Sequence, residues 1–370
     1  MSGAGPFRHD EAARTLLFGR GALADGLELL GDGLTLLSTR RALAAAPAVA
    51  ARAARVVEVP EGKVDAVAGD LLAAGVELGP AGTPLVALGG GRVIDVAKAL
   101  AAAAGVGALS GATAGAGTGA SDAAPRAVAA IPTTLSGAEM TGGHRHARGV
   151  PADAPRVRPS LVVNDPALSA SAGVEQLAAS SGNALGHVLV ALASDRTTPF
   201  AAAVAREAAQ RFARAWAGVA VEGAAPGDAP APRETPDRDE VALGALLAGW
   251  AIDHSGLGFH HVLAQTAVRG AGVGHAQANV ALLPASVAAV GRRRPELIAA
   301  LDRQLALPLA ELAALLRSRA GGAGLTALAA DPRLLDALVA TAAERTAELS
   351  RIPPAPDADE LRALYLEAAS

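Results

Sequence analysis

Short apolar runs alternate with alanine-rich segments of helical spacing through the first 167 residues of the chain. The apolar runs predict strands over Thr15–Leu23, Leu34–Thr39, Arg55–Pro60, Pro84–Gly91, Ala127–Thr134 and Ser160–Leu168. Helical spacing between them predicts helices over Arg41–Ala54, Lys63–Gly75 and Val93–Ala104. Strands that alternate with helices are typical of βαβ units. Residues 1–167 are therefore predicted to form an α/β domain with a Rossmann-like parallel sheet covered on both faces.

The pattern changes after residue 168, where most segments are rich in alanine and leucine and have helical periodicity. Because alanine has the highest helix propensity, residues 168–370 are predicted to form an all-helical domain, with a cleft between the two domains. Two stretches interrupt the pattern. Gly105–Pro125, made mostly of small residues, is predicted to be a flexible surface insertion, and Glu222–Glu240, rich in proline and charge, an exposed loop.

The composition narrows the class of protein. Hydrophobic residues make up 51% of the chain but aromatic residues only 2%, so the core must consist of alanine, leucine and valine. A net charge of −4 gives no electrostatic reason to expect nucleic acid or an anionic membrane surface as a partner. The absence of cysteine excludes disulfides, thiolate ligands and a cysteine nucleophile. With a charged amino terminus and no apolar run of about 18 residues, we expect a soluble, cytoplasmic protein.

Three glycines, Gly89, Gly90 and Gly91, join a predicted strand to a predicted helix. Backbone N–H groups at such a turn, together with the helix N-terminus, suit a phosphate group, although a tight structural turn would also explain them. Lys98 follows in the helix, either to serve a phosphate or substrate anion or as a solvated lysine. Thr133, Thr134 and Ser136 follow the next strand, where open α/β sheets bind ligands.

Histidine is scarce, yet His260, His261 and His275 lie within sixteen residues. Upstream, Asn183 and His187 are four positions apart and share a helix face. Each histidine alone is explained by a hydrogen-bonded core position, but together they predict a shared site. Imidazoles suit Fe²⁺ or Zn²⁺ when a carboxylate completes the ligand set.

In this order and spacing, the motifs resemble those of the iron-containing (group III) alcohol dehydrogenase superfamily, which shares its fold with dehydroquinate synthase. Within it, the chain looks most like the maleylacetate reductase branch. The matching segments are Phe18–Leu23, Gly89–Arg92 with Asp95 and Lys98, Pro132–Thr141, Asp165–Leu168, Asn183 with His187, Gly258–Gln265, and His275. The resemblance spans nearly the whole chain and implies the fold of that superfamily.

The resemblance implies NADH or NADPH as cofactor and a homodimer as the assembly. The pyrophosphate is expected on Gly89–Gly91 with Asp95 and Lys98 nearby, and Thr133, Thr134 and Ser136 near the nicotinamide. Ser38 and Arg40 end the strand that begins at Leu34, where an acidic residue for the adenosine ribose is missing. Because Arg40 and Arg41 can accept a 2′-phosphate, we expect NADPH to be used at least as well as NADH.

Several positions depart from the family pattern. Its metal-binding set falls on Asn183, His187, His261 and His275, so that asparagine replaces the carboxylate. A neutral amide is a poor ligand for a divalent cation, and we therefore expect no tightly held iron or zinc; a metal, if bound, would be held by His187, His261 and His275. Gln265 replaces a further active-site histidine, Arg92 a serine and Leu135 an aromatic residue.

Three functions stay open on the sequence. The first is a metal-independent NAD(P)H reductase acting on the C=C bond of maleylacetate or a related unsaturated oxo-acid. His187, His261 and His275, with pKa values near the working pH, would stabilise an enolate and donate a proton. Asn183 and His260 complete the set of predicted catalytic residues. The second is a metal-dependent alcohol or aldehyde dehydrogenase. The third is a homologue with non-redox chemistry or binding in a biosynthetic pathway. For an acidic substrate, His144, Arg145 and His146 are candidate carboxylate partners, in a segment that also fits a surface loop.

Overall fold

The computed structural model describes residues 5–80, 82–105, 126–219, 233–321 and 325–370. Contacts divide the chain into two compact units, Met1–Ser171 and Ala172–Ser370. The predicted boundary after residue 167 falls within a short 3₁₀ turn, Pro166–Ser169. The predicted insertion at Gly105–Pro125 lies outside the described residues from position 106 onward, as does the predicted loop at Glu222–Glu240 up to position 232.

The first unit contains a sheet that, within the described ranges, has seven strands in the order β1-β2-β7-β6-β5-β3-β4. The strands are β1 (Phe7–Glu11), β2 (Arg14–Phe18), β3 (Leu34–Ser38), β4 (Ala53–Glu58), β5 (Leu85–Gly89), β6 (Val128–Pro132) and β7 (Leu161–Asn164). β2 to β7 pair in parallel, whereas β1 pairs with β2 in antiparallel orientation. The prediction of a parallel sheet is confirmed for the six apolar strands, and β1 is an added edge strand.

Helices cover both faces of this sheet. They are α1 (Ala22–Leu30), α2 (Arg40–Ala45), α3 (Pro47–Ala51), α4 (Val64–Ala73) and α5 (Gly91–Gly105). Successive residues of β5 pack on opposite faces. Leu85 and Ala87 join the core beneath α4 and α5, and Val86 and Leu88 join the core beneath α1 to α3. Burial on both faces explains why the strands appear in the sequence as continuous apolar runs. The helix predicted over Arg41–Ala54 is wrong in two respects. Ala46 leaves helical geometry, so that Pro47 starts a second helix, and this second helix ends at Ala51 because β4 begins at Ala53.

The second unit is helical, as predicted. Its helices are α6 (Val174–Ala193), α7 (Pro199–Trp216), α8 (Arg238–Ser255), α9 (Phe259–Gly270), α10 (His275–Arg293), α11 (Pro295–Asp302), α12 (Leu309–Arg319), α13 (Thr326–Ala330), α14 (Pro332–Ala343), α15 (Thr346–Leu349) and α16 (Ala358–Ala369). The predicted loop at Glu222–Glu240 ends early, because Asp237 caps α8 and residues 238–240 are helical. None of the helices in the described ranges is long and apolar enough to cross a membrane.

α6 organises this second unit. It packs against α7, α8, α10 and α12, and nearly all of its residues from Leu177 onward are buried. A helix that is apolar on all sides is enclosed by its neighbours. Polar residues on such a helix are therefore held in the interior, and Asn183 and His187 are two of them.

Candidate active site

The glycine turn connects β5 to α5 at the carboxyl edge of the sheet. Gly89 pairs with Pro132 of β6, so the turn and the loop after β6 lie side by side, as the sequence indicates. A Cβ added at Gly91 would stand 2.8 Å from the Cβ of Ser136, and one at Gly90 would stand 3.0 Å from the hydroxyl oxygen of Thr134. These glycines are required because the threonine and serine loop approaches closely. The N-terminus of α5 thus lies close to the hydroxyls that are expected to contact the cofactor.

Lys98 does not occupy the position that the sequence predicts for it. Its side chain is fully buried, and its ammonium donates hydrogen bonds to the carbonyl oxygens of Ala138 (3.0 Å), Thr141 (3.1 Å) and Gly143 (3.0 Å). The same group forms an ion pair with Asp95 at 2.8 Å. A phosphate-binding role and a solvated position are therefore both wrong for Lys98 in this structure. The lysine instead fixes the loop after β6 to α5, and Asp95 is its partner.

Glu139 is a buried acid that sequence reasoning did not single out. Burial raises its pKa to about 7, with the nearby Lys98 charge opposing that effect. One carboxylate oxygen has no hydrogen-bond partner in the part of the chain that the structure describes. Its place in the segment Pro132–Thr141 was visible in the sequence, but its burial was not.

Ser38 and Arg40 lie at the carboxyl end of β3, beside the glycine turn. The Ser38 hydroxyl donates to the carbonyl oxygen of Leu88 at 2.8 Å and is fully buried, so it supports the sheet rather than facing a ligand. Arg40 is exposed and pairs with Glu58 at 3.0 Å. An acidic residue is thus present at this edge after all, contributed by β4, whose Glu58 is in register with Ser38.

The side chains of His144 and Arg145 make their contacts within the first unit. The Nε2 atom of His144 accepts from the backbone N–H of Val157 at 3.1 Å, and its Nδ1 atom contacts the carbonyl oxygen of Arg145. Burial lowers the pKa of His144 to about 4. Arg145 faces Asp65 at 3.5 Å. His144 is therefore a neutral structural residue and not the carboxylate partner that the sequence suggested.

In the second unit, α6 and α9 bring two predicted histidines together. The rings of His187 and His261 stack with centroids 4.8 Å apart and planes inclined by 15°. Both are buried, and within the described ranges neither ring nitrogen of His261 has a partner, nor does Nδ1 of His187. Asn183, one turn before His187, is also buried, with its carbonyl oxygen unpaired there. Unpaired buried polar atoms are costly, which is typical of a site that meets a ligand.

His260 has a different position. Its Nδ1 atom hydrogen-bonds the hydroxyl of Ser286 on α10 at 2.8 Å. On the other side, a Cβ at Gly186 would lie 2.3 Å from its Nε2 atom, so glycine is required at that point of α6. The ring is fully buried between the two helices. The structure thus shows a packing contact for His260, while its Nε2 atom has no hydrogen-bond partner within the described residues, and its catalytic role stays a prediction.

The protonation of these histidines differs from the sequence-based expectation. Burial lowers the pKa of His187 to about 3 and that of His260 to about 4, and neighbouring imidazoles add to both shifts. Burial likewise lowers the pKa of His261 well below its ordinary value. The prediction of pKa values near the working pH is wrong for His187 and His261. His187, His260 and His261 are therefore neutral at neutral pH, a state in which an imidazole can donate one hydrogen bond and accept another.

The donor set does not fit a divalent cation. Across the described ranges, no group of three or more histidine, aspartate or glutamate residues is arranged to hold a metal ion. A cation must lie in the plane of each imidazole that binds it, and the stacked, nearly parallel rings of His187 and His261 share no such nearby point. His275 is exposed at the start of α10, and Asn183 brings no charge. In this arrangement the imidazoles do not converge on one point that Fe²⁺ or Zn²⁺ could occupy, and no carboxylate among the described residues adds to the set.

A cation that sequence reasoning missed stands beside this cluster. Arg345 donates from Nη1 to the side-chain oxygen of Gln265 at 2.7 Å, and Gln265 lies one turn after His261 on α9. The two residues are 80 positions apart, so no local pattern connects them. Gln265 was noted only as a departure from the family.

Comparison with known proteins supports the resemblance on which the sequence interpretation depends. The model of the Fe-containing alcohol dehydrogenase family, C-terminal, matches residues 177–367. A maleylacetate reductase from Rhizobium sp. (strain MTP-10005) is 29% identical over 240 residues, which are 64% of this chain and 57% of that protein. One from Sphingobium indicum is 28% identical over 314 residues, 81% of this chain and 79% of that protein. The alignment thus spans little more than half of the Rhizobium relative's length.

Solved structures agree with the predicted fold. The crystal structure of maleylacetate reductase from Rhizobium sp. strain MTP-10005 superposes with a TM-score of 0.71 at 27% identity, covering 98% of this chain and 97% of that one. Sulfoacetaldehyde reductase from Bifidobacterium kashiwanohense, solved in complex with NAD+, gives a TM-score of 0.74 at 21% identity and covers 99% of this chain and 100% of that one. The predicted fold is confirmed.

Proposed function

The chain belongs to the Fe-containing alcohol dehydrogenase family, and we propose that it is an NAD(P)H-dependent oxidoreductase that works without a metal ion. The proposed reaction reduces the C=C bond of maleylacetate or a related unsaturated oxo-acid. The observation that carries the proposal is the cluster on α6 and α9, where the stacked imidazoles of His187 and His261 lie beside Asn183. Within the described residues each of these two rings has an unpaired buried nitrogen, and no carboxylate completes a metal site. The names of the aligned relatives support the substrate.

The first unit supplies the cofactor-binding residues. The backbone N–H groups of Gly90 and Gly91, at the start of α5, suit a pyrophosphate because a helix N-terminus carries partial positive charge. Thr133, Thr134 and Ser136 add hydroxyls at the same edge. Lys98 acts indirectly, since it holds this loop in place. When bound, NADH or NADPH supplies the hydride.

The second unit supplies groups for the substrate. Reduction of a C=C bond conjugated to a carbonyl places negative charge on the carbonyl oxygen, which hydrogen-bond donors in a site shielded from water stabilise strongly. A neutral imidazole donates one N–H and suits this purpose, as neutral histidines do in other enzymes that form enolates. His187 and His261 are buried and have nitrogens available for it. His275, exposed at the start of α10, is placed to exchange protons with solvent.

NADPH is proposed to serve at least as well as NADH. Arg40 is paired with Glu58, but both side chains are largely exposed, and such ion pairs are weak enough for a phosphate to displace. A titration in which NADH is preferred by more than about tenfold, or roughly 1.4 kcal/mol, would contradict this.

The function is tested by following NADH and NADPH oxidation with maleylacetate after the protein has been treated with a chelator and its metal content measured. The expected result is enzymatic turnover in metal-free protein. Turnover that returns only on addition of Fe²⁺ or Zn²⁺ favours an alcohol or aldehyde dehydrogenase. No turnover with any unsaturated oxo-acid, by protein that still binds the cofactor, contradicts the redox assignment.

A further inference from the structure

Arg345 stands at one end of the helix face that carries His261. On α9, positions four apart share a face, so His261 and Gln265 point to the same side. The guanidinium of Arg345, in the turn between α14 and α15, meets that side through its hydrogen bond to Gln265. A permanent positive charge is therefore fixed one helical turn from an imidazole of the candidate site.

The contacts of Arg345 hold its guanidinium in one orientation. Its Nε atom donates to the Oε1 atom of Glu348 at 3.1 Å, and its Nη2 atom donates to the same oxygen. Its Nη1 atom donates to Gln265 at 2.7 Å. Within the described part of the chain, these bonds use one N–H on each nitrogen and leave two of the group's five. The side chain is 23% exposed, so the guanidinium is not sealed in the interior.

The identity of residue 265 fits this arrangement. The amide oxygen of Gln265 accepts a hydrogen bond from Arg345 and leaves the guanidinium charge in place. A protonated histidine at this position would repel that charge. The substitution that departs from the family pattern is thus the one that accommodates a cation here.

The charge matters because Asn183 and Gln265, the amides of this cluster, carry none. Glu348 is paired with Arg345 and orients it, and the two remaining N–H groups of the guanidinium can still donate to an anion. A carboxylate that enters a site without a cation loses hydration with nothing to offset the loss.

We propose that Arg345 binds a carboxylate of the substrate, held in position by Gln265 and Glu348. The inference rests on the proposed function and names the substrate class more closely: an oxo-acid whose carboxylate lies next to the group that is reduced. The two remaining N–H groups of Arg345 donate to the carboxylate, and a planar guanidinium suits that geometry better than an ammonium does.

The kinetic test compares Arg345→Gln with Arg362→Gln, a control arginine of the same unit whose partner is Asp336. A hydrogen bond to a charged group contributes about 1.5–3 kcal/mol, so Arg345→Gln is expected to raise the KM for the acidic substrate about 10-fold to 100-fold. The KM for NADH should not change in either variant. A KM for the acid within about twofold of wild type, from folded Arg345→Gln, overturns the proposal.

A binding test separates this proposal from the proposed function. Calorimetry with maleate as the probe should show binding to the wild type and to Arg362→Gln, and weaker binding to Arg345→Gln. If maleate binds through Arg345 but no oxo-acid is reduced, the function fails and the carboxylate site stands. If oxo-acids are reduced while maleate binding does not depend on Arg345, the site fails and the function stands.

Folding is checked by tryptophan fluorescence. If Arg345→Gln does not fold, Arg345→Lys is the variant to test. It keeps the positive charge but loses the planar set of N–H donors of the guanidinium. It is expected to raise the KM for the acid about tenfold, and an unchanged KM overturns the proposal.

Discussion

Lowering the pH below about 6.5 is expected to destabilise the helical unit Ala172–Ser370, because its buried histidines must then take up protons on unfolding. In the folded protein the pKa of His187 is about 3 and that of His260 about 4, against an ordinary value of 6.5. A base whose folded pKa is depressed contributes its full stability above 6.5. That stability is lost progressively as the pH falls from 6.5 towards the folded pKa.

The size of the effect follows from the shifts. One pKa unit corresponds to about 1.4 kcal/mol, so His187 alone costs the folded state about 2 kcal/mol at pH 5 relative to pH 8. His260 contributes a similar amount, because pH 5 is still above its folded pKa. Together they remove about 4 kcal/mol, a large part of the roughly 5–15 kcal/mol that stabilises an ordinary domain.

The assay is urea unfolding followed by tryptophan fluorescence at several pH values. Both tryptophans of the chain, Trp216 and Trp250, lie in α7 and α8, so the signal reports the unit that holds the histidines. The informative variant is His187→Met, which removes one titrating group. Its free energy of unfolding, relative to wild type, should rise by about 2 kcal/mol between pH 8 and pH 5. His9→Gln, at an exposed position of β1, is the control and should follow wild type.

The burial argument would be refuted if wild type and His187→Met lost stability in parallel over this range. It would also fail if the wild type showed no loss between pH 8 and pH 5. Either result means that the His187 imidazole is hydrated or paired in the folded protein. That would conflict with its buried position on α6, where it packs against α9.

Three further predictions concern the first unit. Lys98→Met leaves three carbonyls and Asp95 without their buried cation and should cost about 3–5 kcal/mol of unfolding free energy, with a higher KM for NADH. Glu139→Gln should have the same free energy of unfolding as wild type at about pH 4.5. By pH 7 and above, its free energy of unfolding should exceed that of wild type by up to about 3 kcal/mol, since the raised pKa of Glu139 makes the ionised form destabilising. Glu58→Gln frees Arg40 and should lower the KM for NADPH severalfold while the KM for NADH stays the same.

Two of these have a matched control variant, and Glu139→Gln is compared with wild type across pH. Stability is followed by circular dichroism because the first unit contains no tryptophan. Lys63→Met, at an exposed lysine, should leave stability and KM unchanged, and equal effects at both lysines would contradict the anchoring role. A Glu139→Gln difference that does not vary with pH would mean that the acid is not buried. Glu28→Gln, at an exposed pair with Arg52, should not alter the KM for NADPH, and if Glu58→Gln behaves like it, Arg40 does not contact a 2′-phosphate.

The sequence predicted β3, β5 and β6 well because each is buried on both faces and so appears as a continuous apolar run. β1 was missed for the converse reason. Its residues Phe7–Glu11 are mostly exposed and charged, as suits an edge strand, and carry no apolar alternation. The break at Pro47 was missed because the alanine-rich pattern continues across it, although proline at the first helical position starts a new helix.

The sequence predicted which residues belong to the candidate site better than it predicted what each of them does. Spacing placed Asn183 with His187 and located His261, and packing brought the two rings together. What each residue does depends on contacts made far along the chain. Lys98 is tied to carbonyls that follow it by 40 or more positions, and Arg345 reaches Gln265 across 80. Local patterns carry no information about such contacts, nor about the burial that sets a histidine's pKa.

The most direct test of the account is the rate of NADH and NADPH oxidation with maleylacetate by protein freed of metal and shown to contain none. We expect turnover at ordinary enzymatic rates, about 1 per second or faster, unchanged when Fe²⁺ or Zn²⁺ is restored. Protein that is inactive until metal is returned, and active then on alcohols or aldehydes, would contradict it.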